Sequence, residues 1–114
     1  MTPELARALA DLREQFLADS TERLARMGRS LSRLEAEPRD AEALGSLRRD
    51  FHSLAGTGTA YGYPEVTRVA RDADAEGAAL LRGGAGPSAD DVARFRRAAG
   101  AIAGELGKPP VPPA

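Results

Sequence analysis

The sequence predicts an all-α fold, an antiparallel up-down-up-down four-helix bundle with room for a short extra N-terminal helix. Apolar residues recur at steps of three and four along four segments, which are separated by short connections rich in Gly and Pro. No segment alternates apolar and polar residues as a half-buried strand does. The 114 residues suffice for one small core, and 4% aromatic residues favour aliphatic packing between helices.

The first helix is predicted to begin at Thr2, which suits the N-cap, and Pro3, which suits the first helical position. A polar gap around Ser20 interrupts its apolar face, so the segment is either one long helix or a short helix leading into a long one. The helix ends near Pro38. The residues of its apolar face are Leu5, Leu9, Leu12, Phe16, Leu24, Met27, Leu31 and Leu34.

Capping residues and glycines mark the predicted ends of the other three helices. Asp40 suits the N-cap of the second helix, which is expected to continue to Tyr61 and to stop at Gly62. Pro64 begins the third helix, and Ser88, with an acid three residues on, caps the fourth. The apolar faces comprise Leu44, Leu47, Phe51 and Leu54 in the second helix, Val66, Val69, Ala70, Ala73 and Leu80 in the third, and Val92, Phe95, Ala99, Ile102 and Leu106 in the fourth.

These helices place residues 1–107 in a single bundle domain. Residues 108–114 are rich in Pro, so we expect them to stay unpacked, as a tail or as the start of a linker. Tyr61 and Tyr63 are expected to close one end of the bundle.

Composition and charge exclude several classes of function. A net charge of −1 gives no basic excess for binding nucleic acid. One His and no Cys leave too few ligands for a transition metal, so we expect no metal and no cofactor. No run of about 18 apolar residues exists, which predicts no membrane insertion and a cytoplasmic protein. The charges of the first helix are expected to pair four residues apart on a solvated face, Asp19 with Arg23 and Glu22 with Arg26.

The second helix carries the one histidine of the chain among residues that are unusual for a helix. Gly56 and Gly58 each cost about 1 kcal/mol relative to Ala in a helix interior. His52 is rotated by about 100° from the core residue Phe51, so it lies on an outward face. Its neighbours on that face are Arg48, Arg49, Ala55, Gly56 and, one turn further, Thr59.

This setting suits phosphoryl transfer. A free imidazole is largely neutral near pH 7 and offers a nucleophilic nitrogen. A phosphoryl group adds up to about two negative charges, which Arg48 or Arg49 could offset, and the small residues give a partner room to approach. The same residues are equally consistent with a surface histidine that only makes local hydrogen bonds. The residues alone leave both interpretations open.

Residues 51–62 resemble the motif of the histidine-containing phosphotransfer (HPt) family. In that family the His is followed by two residues, then usually Lys, then Gly, with another Gly six residues later. His52, Gly56 and Gly62 occupy the matching positions, and residues 63–66 and 70–73 also look like the segment after the motif. The sequence departs from the pattern at Ala55, which replaces the usual Lys.

The resemblance implies a four-helix bundle that carries a phosphoryl group and catalyses nothing by itself. Such domains accept phosphate from a histidine kinase or exchange it with the Asp of a response-regulator receiver domain, which supplies the divalent metal. We therefore expect His52 to accept the group on its outer ring nitrogen and the isolated domain to be monomeric. The residues expected to dock the partner or balance the phosphate are Arg48, Arg49, Ala55, Gly56 and Thr59.

The loss of the usual Lys at Ala55 keeps an alternative open, a degenerate HPt domain that binds receiver or kinase domains independently of phosphorylation. A plain bundle that serves for dimerisation is a third hypothesis. An enzyme is the least favoured class, because one His without a second convergent polar group gives no general acid–base pair.

Overall fold

The computed structural model describes residues 1–112 and contains four α-helices joined by short connections. They are α1 (Pro3–Ala36), α2 (Ala41–Thr57), α3 (Pro64–Gly83) and α4 (Ala89–Leu106), and a 3₁₀ turn (Thr59–Tyr61) lies between α2 and α3. Each helix packs on the next, and α1 also packs on α4. Residues 1–112 contain no strand. The predicted all-α four-helix bundle is confirmed.

The predicted N-caps are present at three of the helices. The Thr2 hydroxyl accepts a hydrogen bond from the backbone N–H of Leu5 at 3.1 Å, and the Asp40 carboxylate accepts one from the N–H of Ala43 at 3.0 Å. At α4 a capping box joins Ser88 to Asp91. Backbone N–H groups that donate to these carboxylates lower the pKa of Asp40 and of Asp91. The caps fix where the helices begin.

The core lies between the four helices and is mainly aliphatic. Two of its largest members, Phe51 of α2 and Phe95 of α4, are fully buried with ring centroids 5.9 Å apart. At one end of the bundle the ring of Tyr61 stacks on Phe16 at 4.6 Å, and the buried Tyr63 lies 6.0 Å from the same ring. The expectation that the two tyrosines close an end of the bundle is therefore confirmed.

α1 is one continuous helix of 34 residues, so no separate N-terminal helix is present. It is twice as long as α2, which has 17 residues. Its buried residues begin at Phe16, whereas Leu5, Leu9 and Leu12 are exposed. The expectation that these three leucines share a packed face with Phe16 is wrong, because the partner helices are too short to cover the first turns of α1.

The charged residues of α1 are not all solvated, and here a second expectation is wrong. Arg23 and Arg26 donate to Asp50 of α2, at 3.0 Å and 2.7 Å, instead of pairing with acids on α1. The Asp50 side chain is only 5% exposed. A buried carboxylate needs charged partners, and this need outweighs the weaker attraction of acids on the surface of α1. The hydrogen bond to Asp50 raises the pKa of Arg26.

The turn between α2 and α3 is tighter than predicted. α2 ends at Thr57 rather than at Tyr61, and the 3₁₀ turn follows it. Gly58 is required there, because a Cβ at this position would lie 2.7 Å from the hydroxyl oxygen of Thr67. Gly62 then stops the turn as predicted, with a φ of +93° that favours glycine. The result is a close hairpin of α2 and α3.

The Pro-rich tail packs on this turn. The N–H of Val111 donates to the carbonyl of Gly62 at 2.8 Å, and the Tyr63 hydroxyl donates to the carbonyl of Lys108 at 3.4 Å. Val111 is flanked by prolines and is the one residue of 109–112 with a backbone N–H, which it uses here. The expectation of an unpacked tail is wrong for residues 108–111. Pro113 and Ala114 lie outside the described residues, and a domain boundary at residue 107 stays a prediction.

Candidate functional site

His52 lies on the solvent-facing side of α2, beside α3. Its side chain is 66% exposed, whereas the preceding Phe51 is fully buried. The outward placement predicted from helical phase is therefore confirmed. An imidazole in this position is open to a second protein.

Asp74 of α3 holds one nitrogen of the His52 ring. The Nδ1 atom of His52 lies 2.8 Å from the Oδ2 atom of Asp74, whose side chain is only 16% exposed. An ionised carboxylate has acceptors and no donor, so the hydrogen of this bond belongs to Nδ1. In the neutral ring the lone pair is then on Nε2, the nitrogen farther from the backbone. Nε2 has no hydrogen-bond partner within residues 1–112.

Arg48 orients the carboxylate of Asp74. Its Nε donates to Oδ1 of Asp74 at 2.6 Å, so each carboxylate oxygen has its own partner. A Cβ at Gly77 would lie 3.2 Å from the Cβ of Arg48, which shows how closely the stem of Arg48 packs on α3. The sequence predicted that Arg48 could balance the charge of a phosphoryl group, but in the structure its guanidinium is already bound to Asp74. Arg48 positions Asp74, and through Asp74 the imidazole.

Arg49 is exposed and bends away from His52. Its Nη1 atom lies 3.4 Å from the position that a Cβ would take at Gly45, one turn towards the start of α2. His52 lies in the opposite direction along the helix. The predicted phosphate-balancing role of Arg49 therefore needs a change of its side-chain conformation.

Ala55, Gly56 and Thr59 leave open surface beyond His52. Ala55 is half-buried and packs against the core. Gly56 is exposed, and a Cβ built on it meets nothing within 4 Å, so the fold does not require glycine there. Thr59 is exposed in the 3₁₀ turn, where its backbone N–H donates to the hydroxyl of Thr67 at 2.8 Å. These residues lie beside His52 but make no polar contact with it within residues 1–112.

Sequence reasoning missed Asp74 as the partner of His52. Asp72 and Glu76 beside it are also acidic, so nothing local in the sequence distinguishes Asp74. A signal was available, because His52 and Asp74 are equally distant along the chain from Tyr63, where the turn lies. In an antiparallel hairpin, residues equally far from the turn lie opposite each other. This symmetry would have paired the two residues.

Residues 1–112 contain neither a cluster of metal-binding side chains nor a helix suited to span a membrane. No group of three or more His, Asp or Glu side chains there is arranged to hold a metal ion. None of the helices combines the length and apolar character that crossing a membrane requires.

The fold and the site together define a class: antiparallel four-helix bundles that present one exposed histidine, hydrogen-bonded to the neighbouring helix. Comparison with known families identifies which one. The model of the Hpt domain family matches residues 11–105, and the chain belongs to this family of phosphocarrier modules of two-component phosphorelays. The match includes His52, Asp74 and all four helices except the first turns of α1 and the end of α4. No curated protein and no solved structure matches the chain.

Proposed function

We propose that the protein carries a phosphoryl group on Nε2 of His52 and exchanges it with the Asp of a response-regulator receiver domain. The observation that carries the proposal is the pairing of an exposed imidazole with a half-buried carboxylate through Nδ1. This pairing leaves the outer nitrogen as the nucleophile. Family membership makes a phosphorelay the setting in which such a nucleophile would act.

The transfer step uses the lone pair of Nε2. This pair forms a bond to phosphorus, and the bond between phosphorus and the donor's carboxylate oxygen breaks, its electron pair leaving with that oxygen. The ring becomes an imidazolium whose Nδ1 keeps its hydrogen and donates it to the carboxylate of Asp74. The carboxylate stabilises the positive charge that develops on the ring, as an Asp does beside a catalytic His. No proton has to leave the site in this step.

The same charge makes the transfer reversible. A positively charged ring is a good leaving group, so a receiver carboxylate can take the phosphoryl group back from Nε2. The domain contributes a positioned nucleophile, while the kinase or receiver supplies the remaining catalytic groups. We propose that the domain is a carrier and not an enzyme, that it acts in the cytoplasm, and that the isolated domain is monomeric.

The test is phosphate exchange with partners from the same signalling system. Purified wild-type domain and the His52→Gln variant are incubated with autophosphorylated histidine kinase or with phosphorylated receiver. We expect acid-labile, base-stable phosphate on the wild type and none on the variant. Equal labelling of both proteins would refute the assignment of the site.

The same experiment separates the carrier from the degenerate module. The degenerate module predicts no labelling of the wild type by any partner, together with receiver binding that His52→Gln leaves unchanged. The carrier predicts labelling, because the nucleophile and its carboxylate partner are both in place. Labelling of the wild type therefore decides between the two.

A further inference from the structure

We infer that Arg71 of α3 is the cation that faces the phosphoryl group on His52. This inference rests on the proposed function, and it concerns a residue that the sequence analysis did not consider as part of the site. Arg71 is exposed on α3, one helical turn before Asp74.

The charge of the phosphorylated site calls for such a cation. The phosphoryl group brings up to about two negative charges close to the carboxylate of Asp74. Arg48 is already bound to that carboxylate at 2.6 Å and offsets its charge. The imidazolium ring offsets one of the two phosphoryl charges, so about one negative charge is left for a further cation to balance.

The alignment of α2 with α3 places Arg71 opposite the helical turn of α2 that follows His52. Two contacts fix this register, the hydrogen bond of His52 with Asp74 and the packing of Arg48 on Gly77. Because the helices are antiparallel, one turn forward along α2 corresponds to one turn backward along α3. The residue one turn before Asp74 is Arg71.

The helical phase of Arg71 directs it to the side of α3 that faces α2. Arg71 lies four residues after Thr67 and three before Asp74. Asp74 contacts His52 of α2, and Thr67 contacts Thr59 in the 3₁₀ turn that follows α2. Residues at such spacings share one face of a helix. The opposing position on α2 is Ala55, which carries only a methyl group.

Other cations near the site are less available. Arg68 of α3 binds Glu65 through two nitrogens, and Arg49 bends back over Gly45. Arg71, by contrast, makes no ion pair within residues 1–112. It is free to turn towards Nε2 of His52 when negative charge arrives there.

The test uses potassium phosphoramidate, a small anionic phosphoryl donor that needs no partner protein. The rate of labelling of His52 is measured by mass spectrometry at low salt and neutral pH. We expect Arg71→Gln to slow labelling by about three- to tenfold, the size of one or two unit-charge interactions at about 6 Å in a water-like dielectric. Arg71→Lys should retain most of the rate.

Two additional measurements separate this electrostatic role from a structural one. Adding Ala55→Lys to Arg71→Gln should restore the rate, because it places a cation on the opposite wall at the same level. The difference between wild type and Arg71→Gln should shrink in about 1 M salt, where the screening length is about 3 Å. The matched control is Arg82→Gln, an exposed arginine about three turns further along α3, which should label like the wild type.

The outcomes distinguish the inference from the proposed function. If the wild type is labelled on His52 and Arg71→Gln is labelled equally fast, the inference about Arg71 is wrong while the carrier function stands. If Arg49→Gln slows labelling and Arg71→Gln does not, Arg49 is the cation and the inference is again wrong. If the wild type is not labelled under conditions that label a histidine peptide, the proposed function fails and the inference fails with it.

Discussion

At the scale of single residues, the chemistry of His52 depends on which ring nitrogen carries the hydrogen. Asp74 settles this, because its carboxylate can only accept from Nδ1. An asparagine at the same place could instead donate its amide hydrogen to Nδ1, which would move the ring hydrogen to Nε2 and remove the nucleophilic lone pair. An alanine would leave both tautomers accessible.

We therefore predict that Asp74→Asn slows phosphorylation of His52 more than Asp74→Ala does. The expected loss is about tenfold or more for Asp74→Asn, smaller than for a triad Asp because His52 is exposed to solvent. The labelling rate with phosphoramidate measures it. The control is Asp72→Asn, an exposed acid on α3 whose ion pair within residues 1–112 is with Arg68. Equal rates for Asp74→Asn and the wild type would show that Asp74 does not set the tautomer.

Gly56 and Gly58, the two glycines that follow His52, are present for different reasons. Gly58 is fixed by the fold, because a Cβ there would clash with Thr67 at 2.7 Å. Gly56 has open space where a Cβ would be, so packing does not explain it. We attribute Gly56 to the close approach of a partner protein.

For Gly56→Ala we predict unchanged or higher stability, by up to about 1 kcal/mol from helix propensity. Labelling by phosphoramidate should stay at the wild-type rate, whereas transfer from a phosphorylated receiver should slow, because only the protein donor needs the clearance. Gly58→Ala should lower the free energy of unfolding, because its Cβ would clash with Thr67. Gly104→Ala on α4 is the control: its Cβ would also meet open space, and it should change neither the labelling by phosphoramidate nor the transfer from the receiver. If Gly56→Ala accepts phosphate from the receiver at the wild-type rate, Gly56 does not serve the approach of a partner protein.

At the scale of helices, Asp50 ties α1 to α2 next to the site. Its carboxylate accepts from Arg23 and from Arg26, and it lies two residues before His52. Either arginine alone can still pair with the buried carboxylate. Removing both leaves that carboxylate buried and unpaired, which is costly.

We predict that Arg23→Gln and Arg26→Gln each cost less than about 1 kcal/mol of unfolding free energy, and that the double variant costs about 1–3 kcal/mol, more than the sum of the two. Urea denaturation followed by circular dichroism measures these values. Arg96→Gln is the control, because Arg96 ties α1 to α4 through the exposed Glu35 and should cost under about 1 kcal/mol. Additive single effects would mean that the arginines do not share Asp50.

Most helix boundaries could be predicted from the sequence because their signals are local. The caps at Thr2, Asp40 and Ser88 depend on residues three positions apart, and the stop at Gly62 depends on one backbone angle. What the sequence did not predict depends on distant residues. The pairing of Asp50 with α1 is one example, because it joins residues 24 and 27 positions apart.

At the scale of the whole molecule, the bundle brings together residues that no motif connects. The outward face of His52 could be predicted from helical phase, but its partner Asp74 lies on the next helix and depends on how α2 and α3 align. The tail illustrates the same limit. Its prolines predicted a free segment, yet the N–H of Val111 binds the carbonyl of Gly62 at the turn.

We propose that the bundle presents Nε2 of His52 as the phosphoryl acceptor while Asp74 holds Nδ1. The most direct measurement is ³¹P and ¹⁵N NMR of the domain after phosphorylation by phosphoramidate. We expect one phosphohistidine, with phosphorus coupled to Nε2 of His52 and a protonated Nδ1, and no such signal in His52→Gln. Phosphorus on Nδ1, or no phosphohistidine at position 52, would contradict it.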